Sequence, residues 1–201
     1  MSNIRSERRP RRTKQQLDSI IHAAAEIEID RHGFVLSSLT RILGIAGIEP
    51  AVFYKRFPNL EQLFIEIGSE NEYWFRDIDD AYKSNENEFS MLEHLFQYLM
   101  THSIPREIVR WELSDRNPTT VKTYLLRDAF FASAIHNLRL QGCCNEKQGV
   151  LLSIIIGGIL YISLLNDYPQ FCGLNLKDAA TKELIQSVFN ETLPNMFQKF
   201  E

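Results

Sequence analysis

The stretch LTRILGIAGIEPAVFYKRFPNLEQLF, from Leu39 to Phe64, decides the fold. It reads as a short helix from about Ser38 to Leu43, the connection Gly44-Ile45-Ala46-Gly47, and a second short helix from about Pro50 to Arg56. Pro50 suits the first turn of that helix, where a backbone N–H has no intrahelical use. Two short helices joined by a compact glycine-containing turn make a helix-turn-helix arrangement. On the second of them Phe53 and Phe57 share one face, because they stand four residues apart. A rotation of about 100° per residue puts Ala51 and Lys55 on the opposite face, flanked by Val52 and Tyr54. Burial is expected for the two phenyl rings and exposure for the other four side chains. Ile48 and Phe53 make a hydrophobic staple across the helix start.

Upstream, Leu17, Ile20, Ile21, Ala24 and Ile27 stripe a first helix that stops near Gly33, whose missing Cβ suits a left-handed C-terminal residue. Before it lies a basic arm carrying Arg5, Arg8, Arg9, Arg11, Arg12 and Lys14, with Glu7 as its one acidic residue. The net charge of −4 averages two unlike regions: residues 1–57 carry ten basic and six acidic residues, and residues 58–201 carry twelve and twenty. An arm of that charge is drawn to a polyanion.

Downstream, apolar residues recur at three- and four-residue intervals and no stretch alternates with period two, so the chain is expected to be all-α with about nine helices. Asn59 with Gln62 opens a long fourth helix striped by Leu60, Leu63, Phe64, Ile67, Trp74, Phe75 and Ile78 and ending in the polar run Lys83–Glu88. Ser90 with Glu93, Asn117-Pro118, and Asn175 with Asp178 open later helices, the last running from Leu176 to about Met196. From Gln148 to Asn166 there is no charged residue, and 12 of the 16 residues from Val150 to Leu165 are apolar. That is only marginally long enough to span a bilayer and lacks a basic flank, so a helix buried on all sides is expected. Ser153, Gly157, Gly158 and Ser163 let another helix approach it closely. With 201 residues, the chain divides into a basic arm (1–12), a three-helix domain (13–57) and an acidic helical domain (58–201).

The residues Ile42, Ala46, Gly47, Ile48, Pro50, Tyr54, Phe57, Pro58, Glu61, Leu63 and Phe64 resemble the N-terminal domain of the TetR/AcrR family of transcriptional regulators. The likeness covers residues 13 to 64 and implies an all-α homodimer. An N-terminal helix-turn-helix domain would bind DNA, and a C-terminal domain would bind a small-molecule effector and dimerise through its last two helices. The exposed face of the second short helix then enters the major groove. Lys55 meets phosphate or a guanine edge, Tyr54 donates to phosphate, and Ala51 and Val52 touch thymine methyl groups. Ser37, Ser38, Thr40 and Arg41, at the start of the preceding helix, are phosphate contacts. Two positions depart from the pattern. Glu49 replaces a small hydroxyl residue, caps poorly and repels phosphate unless it accepts from a cytosine amino group. Leu60 stands where a lysine commonly meets the backbone, a loss that the arm of Arg8, Arg9, Arg11, Arg12 and Lys14 offsets.

In the acidic domain, Tyr124, Arg127, Asp128 and Phe131 fall at three- and four-residue spacings on one helix and, with Tyr98, His102 and Trp111, are expected to line an effector pocket. Ile154, Gly157, Gly158 and Tyr161, with Leu184, Val188 and Phe189, are expected in a two-fold interface that sets two recognition helices about 34–36 Å apart on a near-palindromic operator. No nucleotide-binding, zinc-protease or nucleophile-elbow motif appears, so no enzyme activity, cofactor or metal is expected. Cys143, Cys144 and Cys172 make no C-x-x-C, and with a polar start lacking a signal peptide they point to packing residues in a reduced cytoplasm. The partners are operator DNA, a second copy and an effector, with no membrane. Glu49 and Leu60 leave a second reading, a module of the same fold that acts through ligand or protein contacts with DNA binding weakened or lost.

Overall fold

The computed structural model describes residues 13–71, 74–76, 90–166, 168 and 170–198, and among them the regular structure is helical. The helices are α1 (Lys14–Leu36), α2 (Leu39–Ala46), α3 (Pro50–Phe53), α4 (Leu60–Glu70), α5 (Ser90–Thr101), α6 (Ser103–Ser114), α7 (Pro118–Leu140), α8 (Glu146–Leu164), α9 (Ala179–Ser187) and α10 (Leu193–Gln198). A π-helical turn, Val188–Thr192, joins the last two into one run. The helix starts carry their own chemistry: Thr13, Asn117 and Asn145 each close a capping box, and Asn59 accepts from the Gln62 N–H.

Gly33 takes a positive φ of 71°, as its position after the stripe predicts, yet the helix resumes for one further turn to Leu36. The break turns Phe34 inward, where its ring stacks on Trp111 of α6 at 4.3 Å and meets Phe64 of α4 edge-on at 5.3 Å. Glu107, also on α6 and 5% exposed, comes so close that a Cβ on Gly33 would lie 2.8 Å from its Oε2. Arg110 pairs with Glu107 and donates to the Leu164 carbonyl at 2.8 Å, so α6 is tied to α1 on one side and to the end of α8 on the other. The buried side chains of the three-helix unit and of the C-terminal helices form one continuous cluster.

Several expected boundaries move. α4 closes at Glu70 with Asn71 as its cap, and Trp74 and Phe75 are buried beyond it in a turn; Ile78 and the run 83–88 lie outside the described residues. Ser90 is itself helical, the first described residue of α5. The last helix starts at Ala179 because Asp178, not Asn175, takes the N-cap position, and Asn175 turns the chain before it. The π-turn has a physical cause in Pro194, which cannot donate to the carbonyl four residues back and whose ring crowds it. The widened turn, closed by Leu193 N–H to the Val188 carbonyl, accommodates that ring.

Within one protomer α8 is buried along one side. Gln148, Gly149, Leu152, Ile156, Ile159 and Ser163 face the protomer core, while Val150, Ile154 and Tyr161 are 54, 66 and 56% exposed. Among the described residues it is the one helix long and apolar enough to cross a membrane by length and composition.

Candidate nucleic-acid interface

The helix-turn-helix is built from behind. Ile21, Ala25 and Ile29 of α1, Ile42 of α2 and Phe53 of α3 are all fully shielded from solvent, and Phe57 is 3% exposed. Phe53 lies 5.4 Å from Phe57, and the Tyr54 ring stands edge-on to Phe53 at 5.5 Å. Gly47, at φ 60°, makes the left-handed turn between α2 and α3 and donates to the Leu43 carbonyl. Regular α-helix covers only Pro50–Phe53; a tighter turn follows, with Arg56 N–H on the Phe53 carbonyl at 2.8 Å. The predicted division of faces survives that shortening: Ala51, Tyr54 and Lys55 are exposed and Val52 is half-buried.

Two ion pairs hold the exposed face of α3 in place. Arg56, directly after Lys55, pairs with Asp18 of α1 through both its Nε and Nη2. Glu28 of α1, 1% exposed, accepts from the Ser38 backbone N–H at 3.1 Å and from Arg41 Nε at 2.6 Å, and the second Arg41 nitrogen donates to the Leu36 carbonyl at 2.5 Å. A buried carboxylate demands such partners. The Arg41 guanidinium serves the α1–α2 contact while its side chain stays about half exposed. Ser37 donates to the Gly33 carbonyl and Ser38 caps α2 by accepting from the Arg41 N–H, which leaves Thr40 as the exposed hydroxyl of the three. Glu28 was missed in the sequence although it falls on the stripe of Ile21, Ala24, Ala25 and Ile29, where a charge signals a buried ion pair. Asp18 and Arg56 carried no such mark.

Glu49 makes no side-chain cap bond, and its own carbonyl accepts from the Val52 N–H at 2.9 Å. With Pro50 lacking an N–H, the helix start needs little capping, and the Glu49 carboxylate stands exposed at the edge of the α3 face. Leu60 is half-buried against the core. Lys14 is exposed in the first turn of α1; Arg8, Arg9, Arg11 and Arg12 lie outside the described residues.

The predicted effector residues separate into three groups. Tyr98 stacks between Trp74 and His102, at 6.0 and 4.1 Å, on α5, and Trp111 belongs to the α1–α6 contact. Tyr124, Arg127, Asp128 and Phe131 line a cleft of about 230 Å³ between α7 and α8, with Ser153, Ile156, Gly157 and Leu160 on its far wall. Arg127 is 7% exposed and is paired with Glu112 of α6, so its charge is already committed. Burial pushes the Glu112 carboxyl above the usual carboxylate range, against the opposing pull of Arg127 and the nearby Thr123 hydroxyl.

Of the residues expected in a two-fold interface, all but Gly158 and Phe189 are exposed on the protomer. Val150, Ile154, Gly157 and Tyr161 form an exposed strip on α8, and Leu184 and Val188 are 60 and 39% exposed on the run that follows. Gly158 is half-buried beside the strip, and a Cβ on it or on Gly157 would meet nothing within 4 Å. Phe189, in contrast, stands about 100° round the helix from Val188, turns inward at 6% exposure and packs against Phe96 of α5. Among the described residues no group of three metal-ligating side chains occurs, and the three cysteines are unbridged.

The same architecture occurs in proteins of known structure. The fatty acid degradation regulator FadR of Bacillus halodurans superposes with a TM-score of 0.63 at 18% identity, over 90% of this chain and 98% of that one. The transcriptional regulator FadR of Bacillus subtilis, in complex with stearoyl-CoA, gives 0.61 at 17% identity over 86 and 97%. A TetR family protein of Vibrio parahaemolyticus gives 0.57 at 16% identity over 86 and 96%. The chain has the TetR-regulator fold. No protein-family model matches the sequence and no curated protein matches it, so the TetR likeness is one of fold and of the motif in residues 39–64.

Proposed function

We propose that the protein is a DNA-binding transcriptional regulator, a homodimeric repressor released from a near-palindromic operator by a small-molecule effector. The observation that carries this reading is the α3 segment, with Ala51, Tyr54 and Lys55 projecting into solvent from a turn pinned by buried Phe53 and Phe57. In the major groove, Ala51 and Val52 contact thymine methyls, Tyr54 and Lys55 contact phosphate or a guanine edge, and Glu49 accepts from cytosine. Thr40, the α2 start formed by Ser37 and Ser38, Lys14 and the arm of Arg8, Arg9, Arg11 and Arg12 hold the backbone. The strip of Val150, Ile154, Gly157 and Tyr161 with Leu184 and Val188 pairs with its symmetry mate, which sets the spacing of the two reading faces. The effector occupies the C-terminal helices and acts only through differential affinity for two spacings.

The test is fluorescence anisotropy with duplex fragments from the source genome at two salt concentrations. Tight, salt-sensitive binding to a few two-fold symmetric fragments supports the regulator. Uniformly weak binding to all fragments contradicts it and favours the module without DNA binding, the reading to which exposed Glu49 and half-buried Leu60 lend weight.

A further inference from the structure

We propose that the junction between α1 and α4 is a proton-operated clamp, in which a protonated His22 grips Glu66 and Glu70 together. The His22 side chain, on α1, is 18% exposed, and its two ring nitrogens face two different carboxylates of α4. Nδ1 stands 3.1 Å from Glu70 Oε2, and Nε2 stands 3.7 Å from Glu66 Oε2. The buried Phe57 ring packs beside the imidazole, with 5.9 Å between centroids.

A neutral imidazole carries one N–H and one lone pair. Whichever nitrogen holds the proton, the other presents its lone pair to a carboxylate oxygen, and the two repel. The imidazolium donates from both nitrogens, so one proton turns an attractive and a repulsive contact into two attractive ones. At 3.7 Å the Glu66 contact is an ion pair and not a hydrogen bond, so it holds only while the ring is charged. Because the carboxylates approach different nitrogens, they do not converge on one point, and the cluster suits a proton and not a metal ion.

The surroundings act in the same direction. Asp18 and Glu26 stand one turn before and one turn after His22 on α1. Arg56, just after α3, answers Asp18, and Glu26, Glu66 and Glu70 remain as carboxylates around the ring. Position gives the clamp its reach. Gly68 of α4 lies so close to the C-terminal helices that a Cβ there would be 3.0 Å from the Thr119 methyl of α7 and 3.3 Å from the Trp111 ring of α6. The helix that His22 grips is therefore the one packed on α6 and α7. That the grip reaches operator binding rests on the function proposed above; the clamp itself does not.

The experiment is urea unfolding of the full chain, without DNA, at about pH 8 and about pH 5.5, which spans the ordinary histidine range and stays above that of carboxylates. The imidazolium has both partners in the folded chain and neither in the unfolded one, so the stabilisation is present at low pH and lost as pH rises. The ratio of folding constants, wild type over His22→Gln, is expected to rise about three- to tenfold from pH 8 to pH 5.5. The same rise is expected against Glu66→Gln/Glu70→Gln, and adding His22→Gln to that variant brings no further pH dependence. Glu66 and Glu70 are 44 and 60% exposed, so their replacement leaves the core intact and the test stands even where His22→Gln does not fold. The proposal is overturned by a ratio that stays constant with pH, as a purely structural His22 would give, by one that falls with falling pH, or by a rise that survives when both glutamates are replaced. Because no DNA is present, failure here leaves the operator reading untouched, and failure of operator binding leaves the clamp untouched.

Discussion

At the scale of single residues, Gly33 and Glu112 show how one side chain, or its absence, places strain or charge. Gly33 combines a φ of 71° with a Glu107 oxygen where its Cβ would sit, so alanine meets both backbone strain and a clash. Gly33→Ala is expected to cost about 1–3 kcal/mol in urea unfolding; a cost below a few tenths would contradict the geometry. Glu112 is held above the usual carboxylate range by burial, so the folded chain keeps that proton to higher pH than the unfolded chain does. Its contribution to stability is therefore greatest below the ordinary glutamate range and declines as pH climbs through the raised value. Glu112→Gln, uncharged throughout, should gain on the wild type as pH rises above the ordinary glutamate range in paired denaturant melts, and a constant difference would show the carboxyl unperturbed. Glycine after an apolar stripe announced the break at Gly33. The approach of Glu107 was not readable, because it depends on contact between residues far apart in the chain.

At the scale of elements, α3 is four residues long and cannot be stable alone, since its nucleus costs more than one turn returns. Tertiary burial of Phe53 stabilises it, so Phe53→Ala is expected to lower global stability by about 3–5 kcal/mol and to abolish DNA binding with it. The basic arm acts differently. Removing residues 1–12 should weaken binding to every duplex alike and reduce the salt slope by about 0.9 for each phosphate the arm neutralises; unchanged affinity and slope would exclude the arm from the interface. Element starts were legible where a side chain caps them, as at Asn59 and Asn117. Ends and irregularities were not: the close of α4 at Glu70 and the π-turn before Pro194 depend on tertiary packing and on a proline's missing donor. The face of α3 was readable because two phenylalanines four apart fix its rotation, whereas the commitment of Arg41 to Glu28 was hidden by the distance between their helices.

At the scale of the whole molecule, α8 carries the proposed two-fold interface. Its composition predicted burial but could not say whether the cover comes from the same protomer or another, and the structure leaves Ile154 two-thirds exposed. Ile154→Glu should leave the protomer folded and convert the dimer to a monomer in light scattering, with weaker operator binding as two reading faces are uncoupled. A variant that stays dimeric would move the interface elsewhere. Phe189→Ala, which opens a hole beside Phe96, should instead destabilise the protomer by about 3–5 kcal/mol. The effector residues were the least legible part, because pocket membership depends on how α5, α6 and α7 pack and spacing on one helix cannot show that. The most direct test of the account is binding of the Tyr54→Ala/Lys55→Ala protein to the duplex that the wild type enriches from a random pool. With an unchanged melting temperature, the double variant is expected to lose about 2–4 kcal/mol of affinity, roughly 30- to 1,000-fold; equal affinity for that duplex would contradict the reading of α3 as the DNA-contacting face.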